Sequence, residues 1–300
     1  MKNVFYCLVI AMIWGACSQK MTTKTIPSNQ YQAINLDSAA DNLLAFAKVR
    51  GSLDTNENVV FSCTGTIYSY MPNERGKPLF GFEMYNIAKL KVVAGGYRLL
   101  TREMLVYTDL KTGNILKEWD NPFTQQKVSV IPVWNDPVNQ QFMLKGKYGE
   151  WGVPYTVLGD RVAFTSDIFL YYPSPLKVAD YPQASRSDMY QAAELFQFFV
   201  AMQDLNNANV KSVPSEITWT RFSDFLPWMG MGNKAGQLCY VGRGMKLKHG
   251  FADLPAKIRD FVRQENPIYE TAPDIFTEPN MTSWKYYKLL MEAKKAKKNE

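Results

Sequence analysis

The feature that most constrains the fold is a long run of alternating apolar and polar residues between Val59 and Tyr171. Successive side chains of a β-strand point to opposite faces, so a period of two predicts strands. Turn-forming residues interrupt the run at short intervals, as at Ala94-Gly95-Gly96 and Gly159-Asp160. The run therefore predicts roughly seven to nine antiparallel strands joined in a meander.

Several of these strands carry aromatic residues on both faces. In the strand predicted from Leu79 to Val93, Phe80 and Phe82 share one face, whereas Tyr85 lies on the other. A sheet with one face in water would carry aromatic residues mainly on its buried face. Aromatic residues on both faces indicate that both faces are buried, as in a closed barrel or a covered sheet. We expect a mainly β (β-rich α+β) fold: an antiparallel closed or nearly closed β-barrel, calycin-like, with a long inserted helix and C-terminal helices.

Apolar residues at helical spacing predict four helices, over residues 37–49, 187–205, 254–265 and 281–297. The longest begins at Ser187, a favourable N-cap residue. Its apolar face is formed by five residues: Ala192, Leu195, Phe196, Phe199 and Met202. We expect this helix to pack against, or plug, one end of the barrel.

The densest group of tryptophan, proline and glycine lies between Trp219 and Lys246. We predict a strand, a tight turn and a second strand, because Pro227 ends regular ladder bonding. Glycines at positions 230, 232 and 236 permit a positive φ or a close backbone approach. Such a stretch either fills a core or frames a pocket, and the sequence leaves both alternatives open.

The first seventeen residues have the layout of an export signal. Lys2 precedes an apolar run over residues 4–14, and two small residues then precede Cys17. This resembles a bacterial lipoprotein signal peptide, in which the cysteine becomes lipidated. An ordinary secretory signal and an uncleaved anchor are the alternatives. We expect an exported protein, anchored by lipid at Cys17 to a membrane of the bacterial envelope, in the periplasm or at the cell surface.

The rest of the chain divides into three parts. Residues 18–36 are polar and predict a flexible tether. Residues 37–288 are expected to form a single barrel-like domain, and residues 289–300 a basic tail. Lysines near the C-terminus supply much of the net charge of +6, so a nucleic-acid partner is not indicated.

The composition excludes several kinds of site. His249 is the only histidine, which rules out a metal site built from several histidines, and its neighbours predict a surface turn. The chain has no G-x-S-x-G, P-loop or HExxH motif. We therefore expect no cofactor and no metal. Cys63 and Cys239 lie in apolar runs and could form a disulfide, although two buried free thiols are favoured.

Charged residues inside apolar strands are the better candidates for a site. Arg102 and Glu103 are adjacent and must point to opposite faces, so one of them faces the interior. Arg221 points to the same face as Trp219, and Glu194 lies beside the apolar stripe of the long helix. A buried charge needs a partner, so we expect an interior Arg–Glu pair. A structural pair is favoured over a site.

Five segments together resemble a known family. They are WTRFSDFLPWMGMG (219–232), PN-TSW-Y-K (279–288), TRE (101–103), WDNPFT (119–124) and NDPV (135–138). This combination resembles the bacterial domain of unknown function 1838, over about residues 49–288. Met281 departs from it, since an acidic residue is expected there. The family has no established activity, so the resemblance implies domain boundaries and no mechanism.

The function that we expect is that of an envelope lipoprotein that binds a small apolar or amphipathic anionic ligand in the barrel cavity. The predicted ligand-binding residues are Arg221, Trp219, Trp228, Tyr85 and Glu194.

Two alternatives remain open. The first is a cofactor-independent isomerase, lyase or hydrolase, with Glu83 or Glu103 as the acid–base residue and Arg102 or Arg221 stabilising an anion. The second is an envelope scaffold whose Trp–Gly stretch meets a partner protein. The sequence does not define the oligomeric state.

Overall fold

The computed structural model describes residues 33–147 and 149–298. The predicted signal peptide, Cys17 and most of the predicted tether lie outside these residues. The described strands are β1 Val59–Tyr70, β2 Lys77–Val93, β3 Gly96–Thr108, β4 Glu118–Asn121, β5 Gln126–Ser129, β6 Val133–Asn135, β7 Gln140–Met143, β8 Lys145–Gly146, β9 Gly149–Glu150, β10 Tyr155–Leu158, β11 Arg161–Pro173, β12 Met189–Ala201, β13 Glu216–Ser223 and β14 Gln237–Lys246. The helices are α1 Ala39–Arg50, α2 Met202–Leu205, α3 Ala256–Glu265 and α4 Ser283–Lys298, and 3₁₀ turns span Pro227–Met229, Gly250–Asp253 and Pro267–Glu270.

One ten-stranded antiparallel sheet organises the molecule, in the order β10-β11-β12-β13-β14-β1-β2-β3-β6, with β7 also paired to β3. The mainly β class is therefore confirmed. The sheet has two ends, β10 on one side and β6 with β7 on the other. Among the described residues no strand pairing joins these ends, so closure into a barrel is not confirmed.

The sheet curls strongly, although it stays open. Residues of β3 and β11, which are far apart in the strand order, line the same cavity, together with residues 279–285. Twist between neighbouring strands accumulates across a wide sheet and produces such a curl. Glycine in β14 allows tight packing on the inner face, because a Cβ at Gly242 would lie 2.7 Å from the Phe82 ring and 2.8 Å from Cys63 Sγ.

The predicted long helix from Ser187 to Leu205 is wrong. Most of this segment is strand β12, paired with β11 on one side and β13 on the other, and only α2 is helical. Its apolar residues fit both a helical and a two-residue period, and aromatic residues such as Phe196 and Phe198 favour a strand. Two neighbouring strands supply backbone partners along β12, and this tertiary pairing decides the structure.

Two apolar clusters fill the concave face of the sheet. In one, Leu43 and Phe46 of α1 pack against Phe164 and Phe198, so the first predicted helix is confirmed. In the other, the 3₁₀ turn at Trp228 packs against Phe80, Tyr107 and Trp119. Residues of both clusters line the cavity, which therefore lies where the two clusters meet.

The convex face is covered only in part. Over β2 and β3, Tyr85 and Met104 pack under α3 and the 3₁₀ turn at Tyr269. The predicted C-terminal helices are thus present as α3 and α4. Over β11, Phe169 and Tyr171 face outward and are 72% and 70% exposed.

The stretch from Trp219 to Lys246 fills the core. Trp219 and Trp228 keep only 3% and 7% of their surface exposed, and two strands flank the turn as predicted. Gly230 has a φ of 67°, and a Cβ at Gly232 would lie 2.7 Å from Pro182 O, so both need glycine.

Cys63 and Cys239 are both buried and free, as predicted. Burial raises the pKa of Cys63 to about 12, so this thiol is protonated at neutral pH. In the described part of the chain, no helix has the length and apolar character needed to cross a membrane.

Candidate functional site

The curled sheet encloses a cavity of about 660 Å³, within the range of roughly 300–1,000 Å³ usual for small-molecule sites. Most of its lining is apolar, with side chains such as Phe61, Met84, Ile168, Leu170, Ile217 and Trp284. Polar residues also line it, among them Arg50, Asn86, Glu103, Asn135, Glu194 and Arg221. A mainly apolar space with a few polar groups is typical of a site for an organic molecule.

Glu194 and Arg221 form the polar part of one wall. They are direct cross-strand neighbours in β12 and β13, so both side chains point into the cavity. Arg221 forms an ion pair with Glu194 Oε1, and its Nη2 donates a hydrogen bond to Tyr190 Oη at 2.5 Å. Trp219 Nε1 donates to the other carboxylate oxygen of Glu194 at 3.2 Å. The predicted interior Arg–Glu pair is therefore present.

The charge of Arg221 is balanced within this wall. Burial by itself would lower the pKa of Arg221, but the Glu194 carboxylate and Tyr190 raise it above its usual value. Burial also raises the pKa of Tyr190, so this hydroxyl stays protonated. Because Arg221 already has an anionic partner, this wall is close to neutral.

Glu103 lies in the wall opposite Glu194 and Arg221. Four side chains form one inward row across β1, β2, β3 and β6, because Phe61 pairs with Asn86, Asn86 with Glu103 and Glu103 with Asn135. Asn135 Nδ2 donates a hydrogen bond to Glu103 Oε2 at 3.1 Å. Burial raises the pKa of Glu103, and the Glu194 charge raises it further, whereas the Asn135 hydrogen bond and Arg221 act the other way.

Two amide oxygens of this row have no partner. The Oδ1 atoms of Asn86 and Asn135 are buried, and neither accepts a hydrogen bond from the described residues. A buried polar atom without a partner is unfavourable by about 1–3 kcal/mol, and most buried polar groups are paired. Both residues line the cavity, although these two oxygen atoms are themselves shielded from it.

Arg50 enters the cavity from the C-terminal end of α1. The next residue, Gly51, packs close to the sheet, since a Cβ there would lie 3.1 Å from Leu90 Cβ and 3.3 Å from Leu99 Cδ1. This contact places the Arg50 guanidinium over the rings of Phe61 and Phe198, with its Cζ 5.3 and 4.9 Å from the ring centroids. The helix thus places a cation beside two aromatic rings of the cavity.

The segment that leads into α4 lies at one side of the cavity and is hydrogen-bonded to the loop after β6. Asn280 Oδ1 accepts a hydrogen bond from Asn139 N at 2.8 Å, and Asn280 Nδ2 donates to Asn139 O at 3.0 Å. Met281 N donates to Pro137 O at 2.8 Å. Trp284 then packs on Tyr190 with a ring-centroid distance of 4.5 Å. These contacts hold residues 279–285 at the side of the cavity, between the loop after β6 and strand β12.

The structure brings together three of the predicted site residues at the cavity, Glu103, Glu194 and Arg221. Trp219 lies beside them, in a small adjoining pocket that Glu103 and Arg221 also line.

The other four predicted residues do not line the cavity. Glu83 faces outward and pairs with Lys257. Arg102 also faces outward, and its Nε lies 2.7 Å from Asp136 Oδ2. Tyr85 is buried under the outer layer, where its hydroxyl donates to Tyr269 O at 2.9 Å. Trp228 lies in the 3₁₀ turn Pro227–Met229 and belongs to the apolar cluster that contains Phe80 and Tyr107.

Sequence reasoning missed three residues that matter here, Arg50, Asn86 and Tyr190. Arg50 was placed just beyond a predicted helix, and Tyr190 was hidden in the segment predicted as helical. Asn135 begins an Asn-Asp-Pro sequence, which is typical of a turn, whereas the structure places it at the end of β6 with its side chain directed to Glu103. The signal that could have found Asn135 was its place in the NDPV segment, which lies opposite TRE across two paired strands.

The described residues contain no group of three or more histidine, cysteine, aspartate or glutamate side chains placed to hold a metal ion. His249 lies at the surface with its side chain 64% exposed, and its Nδ1 is 3.0 Å from Asp253 Oδ1. The predicted surface turn is confirmed for this residue.

Four segments that carry the family resemblance converge on the cavity. They contribute Glu103, Asn135, Arg221 and Trp284 to its lining. A family model described as "Protein of unknown function (DUF1838)" matches residues 56–291. The chain belongs to this family. No curated protein matches it. The DUF1838 match contains both walls of the cavity, whereas Arg50 precedes the matched segment.

Proposed function

We propose that this DUF1838 protein binds a small amphipathic molecule with an anionic group inside the curled sheet. The observation that carries this proposal is the cavity of about 660 Å³, with its mainly apolar lining and few buried polar groups. In this proposal the sheet and residues 279–285 together enclose the ligand as a closed barrel would.

The unpaired polar groups of the lining support a ligand in preference to an empty core. The Oδ1 atoms of Asn86 and Asn135 lack donors among the described residues. Arg50 is 7% exposed and makes no ion pair with a described residue. A folded protein rarely keeps several such groups around one space, because each is unfavourable without a partner. A ligand with an anionic group would pair with Arg50, and rotation of the two amide groups would bring their oxygens to its hydrogen-bond donors.

Native mass spectrometry of the full-length protein, purified from its own host, tests this proposal. Leu170→Trp on β11 would fill part of the cavity, since Leu170 lines it. Phe169→Trp is the matched control, because the neighbouring residue on the same strand faces outward and is 72% exposed. We expect a non-covalent adduct in the wild-type protein and in Phe169→Trp, and none in Leu170→Trp.

Two results would contradict the proposal. One is a wild-type protein that carries no adduct at any gentle ionisation setting. The other is an adduct of equal abundance in Leu170→Trp, which would place the bound molecule outside the cavity. Circular dichroism of both variants should match that of the wild type, because the substitutions keep strand-forming side chains.

We also propose that the protein is exported and held to the bacterial envelope by lipid at Cys17. The layout of residues 1–17 supports this, with Lys2, an apolar run and small residues before the cysteine. Metabolic labelling with an alkyne fatty acid should label the wild-type protein and not Cys17→Ala. Equal labelling of both proteins would refute the anchor.

A second candidate function is acid–base catalysis without a cofactor, and the position of Glu103 favours it. Its carboxyl group lies in the lining, and burial raises its pKa above its ordinary value, which is the direction that an acid–base residue needs. A metabolite turnover screen tests this candidate. Glu103→Gln should abolish any turnover found while binding persists, and turnover by Glu103→Gln at the wild-type rate would exclude Glu103 as the acid–base residue.

A further inference from the structure

Arg50 is a buried cation without an anionic partner. Its Nη2 donates one hydrogen bond, to Gln140 Oε1 at 3.3 Å, and its guanidinium lies over the rings of Phe61 and Phe198. No described carboxylate lies within ion-pair distance of it, although only 7% of the residue is exposed. Arginine presents five N–H donors, so most of its hydrogen-bonding capacity is unused.

A second buried cation lies close to Arg50. Lys246 pairs with Phe61 across β14 and β1, so its side chain enters the same region of the interior. Its Nζ donates to Lys48 O at 2.7 Å, Gly51 O at 3.0 Å and Ser212 Oγ at 3.0 Å. All three acceptors are uncharged. The α1 end of the interior therefore carries the positive charge of Arg50, and Lys246 adds to this charge when it is protonated.

The other arginine of the cavity differs in this respect. Arg221 is neutralised by Glu194 and also bonded to Tyr190. A second anion beside Glu194 would meet a like charge, whereas an anion beside Arg50 would meet a free cation. The two arginines thus have distinct roles, and the anionic group of a ligand is attracted to the α1 end.

We propose that Arg50 binds the anionic group of the ligand, and that the ligand is an amphipathic monocarboxylate whose apolar part lies along Phe61, Ile217 and Ile168. This inference rests on the proposed ligand-binding function and adds the class of ligand and its orientation. A guanidinium binds a carboxylate through two parallel N–H···O bonds, and these are strongest where water is excluded.

The state of Arg50 agrees with this role. Burial lowers the pKa of Arg50 to about 10, which still leaves the side chain protonated at neutral pH. The two aromatic rings fix the guanidinium plane without neutralising it, since cation–π contacts leave its N–H groups free. The apolar side chains along the cavity then match the apolar part of such a molecule.

Two probes with the same alkyl chain test the inference, decanoate and 1-decanol. The full-length protein, stripped of bound molecules by organic extraction and refolded, is titrated with each, and tryptophan fluorescence is followed. Trp284 in the lining serves as the reporter. We expect decanoate to bind at least about tenfold more tightly than 1-decanol, because hydrogen bonds to a charged group are stronger than those between neutral groups.

Three variants assign this preference to Arg50. Arg50→Gln should remove the preference and leave the affinity for 1-decanol within about twofold. Arg50→Lys should keep part of it, because an ammonium retains the charge but not the paired hydrogen bonds. Arg243→Gln is the matched control, since Arg243 is exposed on β14, and it should bind both probes like the wild type.

The outcomes separate this inference from the proposed function. If both probes bind with equal affinity, or if Arg50→Gln keeps the preference for decanoate, Arg50 does not bind the anion, while ligand binding in the cavity stands. If neither probe binds and native mass spectrometry finds no adduct, both proposals are wrong. If Arg50→Gln does not fold, Arg50→Lys becomes the deciding variant. A preference for decanoate over 1-decanol as large as that of the wild type would then show that paired hydrogen bonds from Arg50 do not hold the carboxylate.

Discussion

Replacing Arg50 with methionine should make the ligand-free protein more stable. Burial lowers the pKa of Arg50 from 12.5 to about 10. At about 1.4 kcal/mol per pH unit, this corresponds to roughly 3 kcal/mol by which burial disfavours the charged side chain. The contacts with Phe61 and Phe198 and the hydrogen bond to Gln140 offset about 1–2 kcal/mol of this. Methionine has a similar length and fills the space, so the net gain should be about 1–2 kcal/mol.

Urea denaturation at pH 7, followed by circular dichroism, measures this gain in the free energy of unfolding. The midpoint should rise without a change in m-value, because the surface exposed on unfolding is nearly the same. Arg243→Met, on the exposed face of β14, should stay within about 0.5 kcal/mol of the wild type. An Arg50→Met protein that is less stable than the wild type would refute the reasoning. It would mean that contacts within the folded protein already stabilise the charged Arg50 side chain, so that it needs no anionic ligand.

Three further predictions concern the other buried charges. Arg221→Met should lower the free energy of unfolding by about 3–5 kcal/mol, because it leaves Glu194 buried without its ion-pair partner. Adding Glu194→Gln should restore most of this loss. Urea denaturation midpoints of the single and double variants measure both effects, and a double variant as unstable as Arg221→Met would contradict the prediction. Burial raises the pKa of Glu103, so the folded protein holds a proton that the unfolded chain releases. The free energy of unfolding should therefore fall as pH rises from about 4.5 through the pKa of Glu103 in the folded protein. Glu103→Gln should lose this dependence on pH, and an unchanged dependence would contradict the prediction. Burial lowers the pKa of Lys246 from 10.5 to about 7, so between these pH values the unfolded chain binds one more proton than the folded protein. The free energy of unfolding should therefore rise between pH 7 and 10.5, and Lys246→Met should flatten this rise. A wild-type protein whose stability does not rise would contradict the lowered pKa of Lys246.

The meander from β1 to β3 was predictable because its signals are local. Alternating residues and the glycine turn before Gly96 define the strands and their faces without knowledge of the partners. The same alternation predicted that only one of Arg102 and Glu103 faces inward, and the structure places Glu103 there. Alternation along β13 likewise predicted that Arg221 and Trp219 share a face.

The state of β12 was not predictable from its own residues. Residues 192, 196 and 199 fit a helical face, while residues 190, 192, 194, 196, 198 and 200 fit the inward face of a strand. Strand preference depends on neighbours more than helix preference does. Hydrogen bonds from β11 and β13, which lie outside the segment itself, decide the outcome.

The site was only partly predictable for a related reason. A basic residue in the last turn of a helix normally complements the helix dipole at the surface, so the sequence gives Arg50 no special meaning. Its burial results from Gly51 packing on Leu90 and Leu99, which lie about forty residues further along the chain or more. The curl of the sheet, which brings Glu103 near Glu194, depends on accumulated twist and cannot be inferred from strand patterns.

The most direct test of the account is a crystal structure of the full-length protein purified from its own host. We expect continuous density inside the curled sheet, with an anionic group within hydrogen-bond distance of the Arg50 guanidinium and an apolar portion near Ile168. A cavity filled by rearranged lining side chains, or a bound molecule found only on the convex face, would contradict the account.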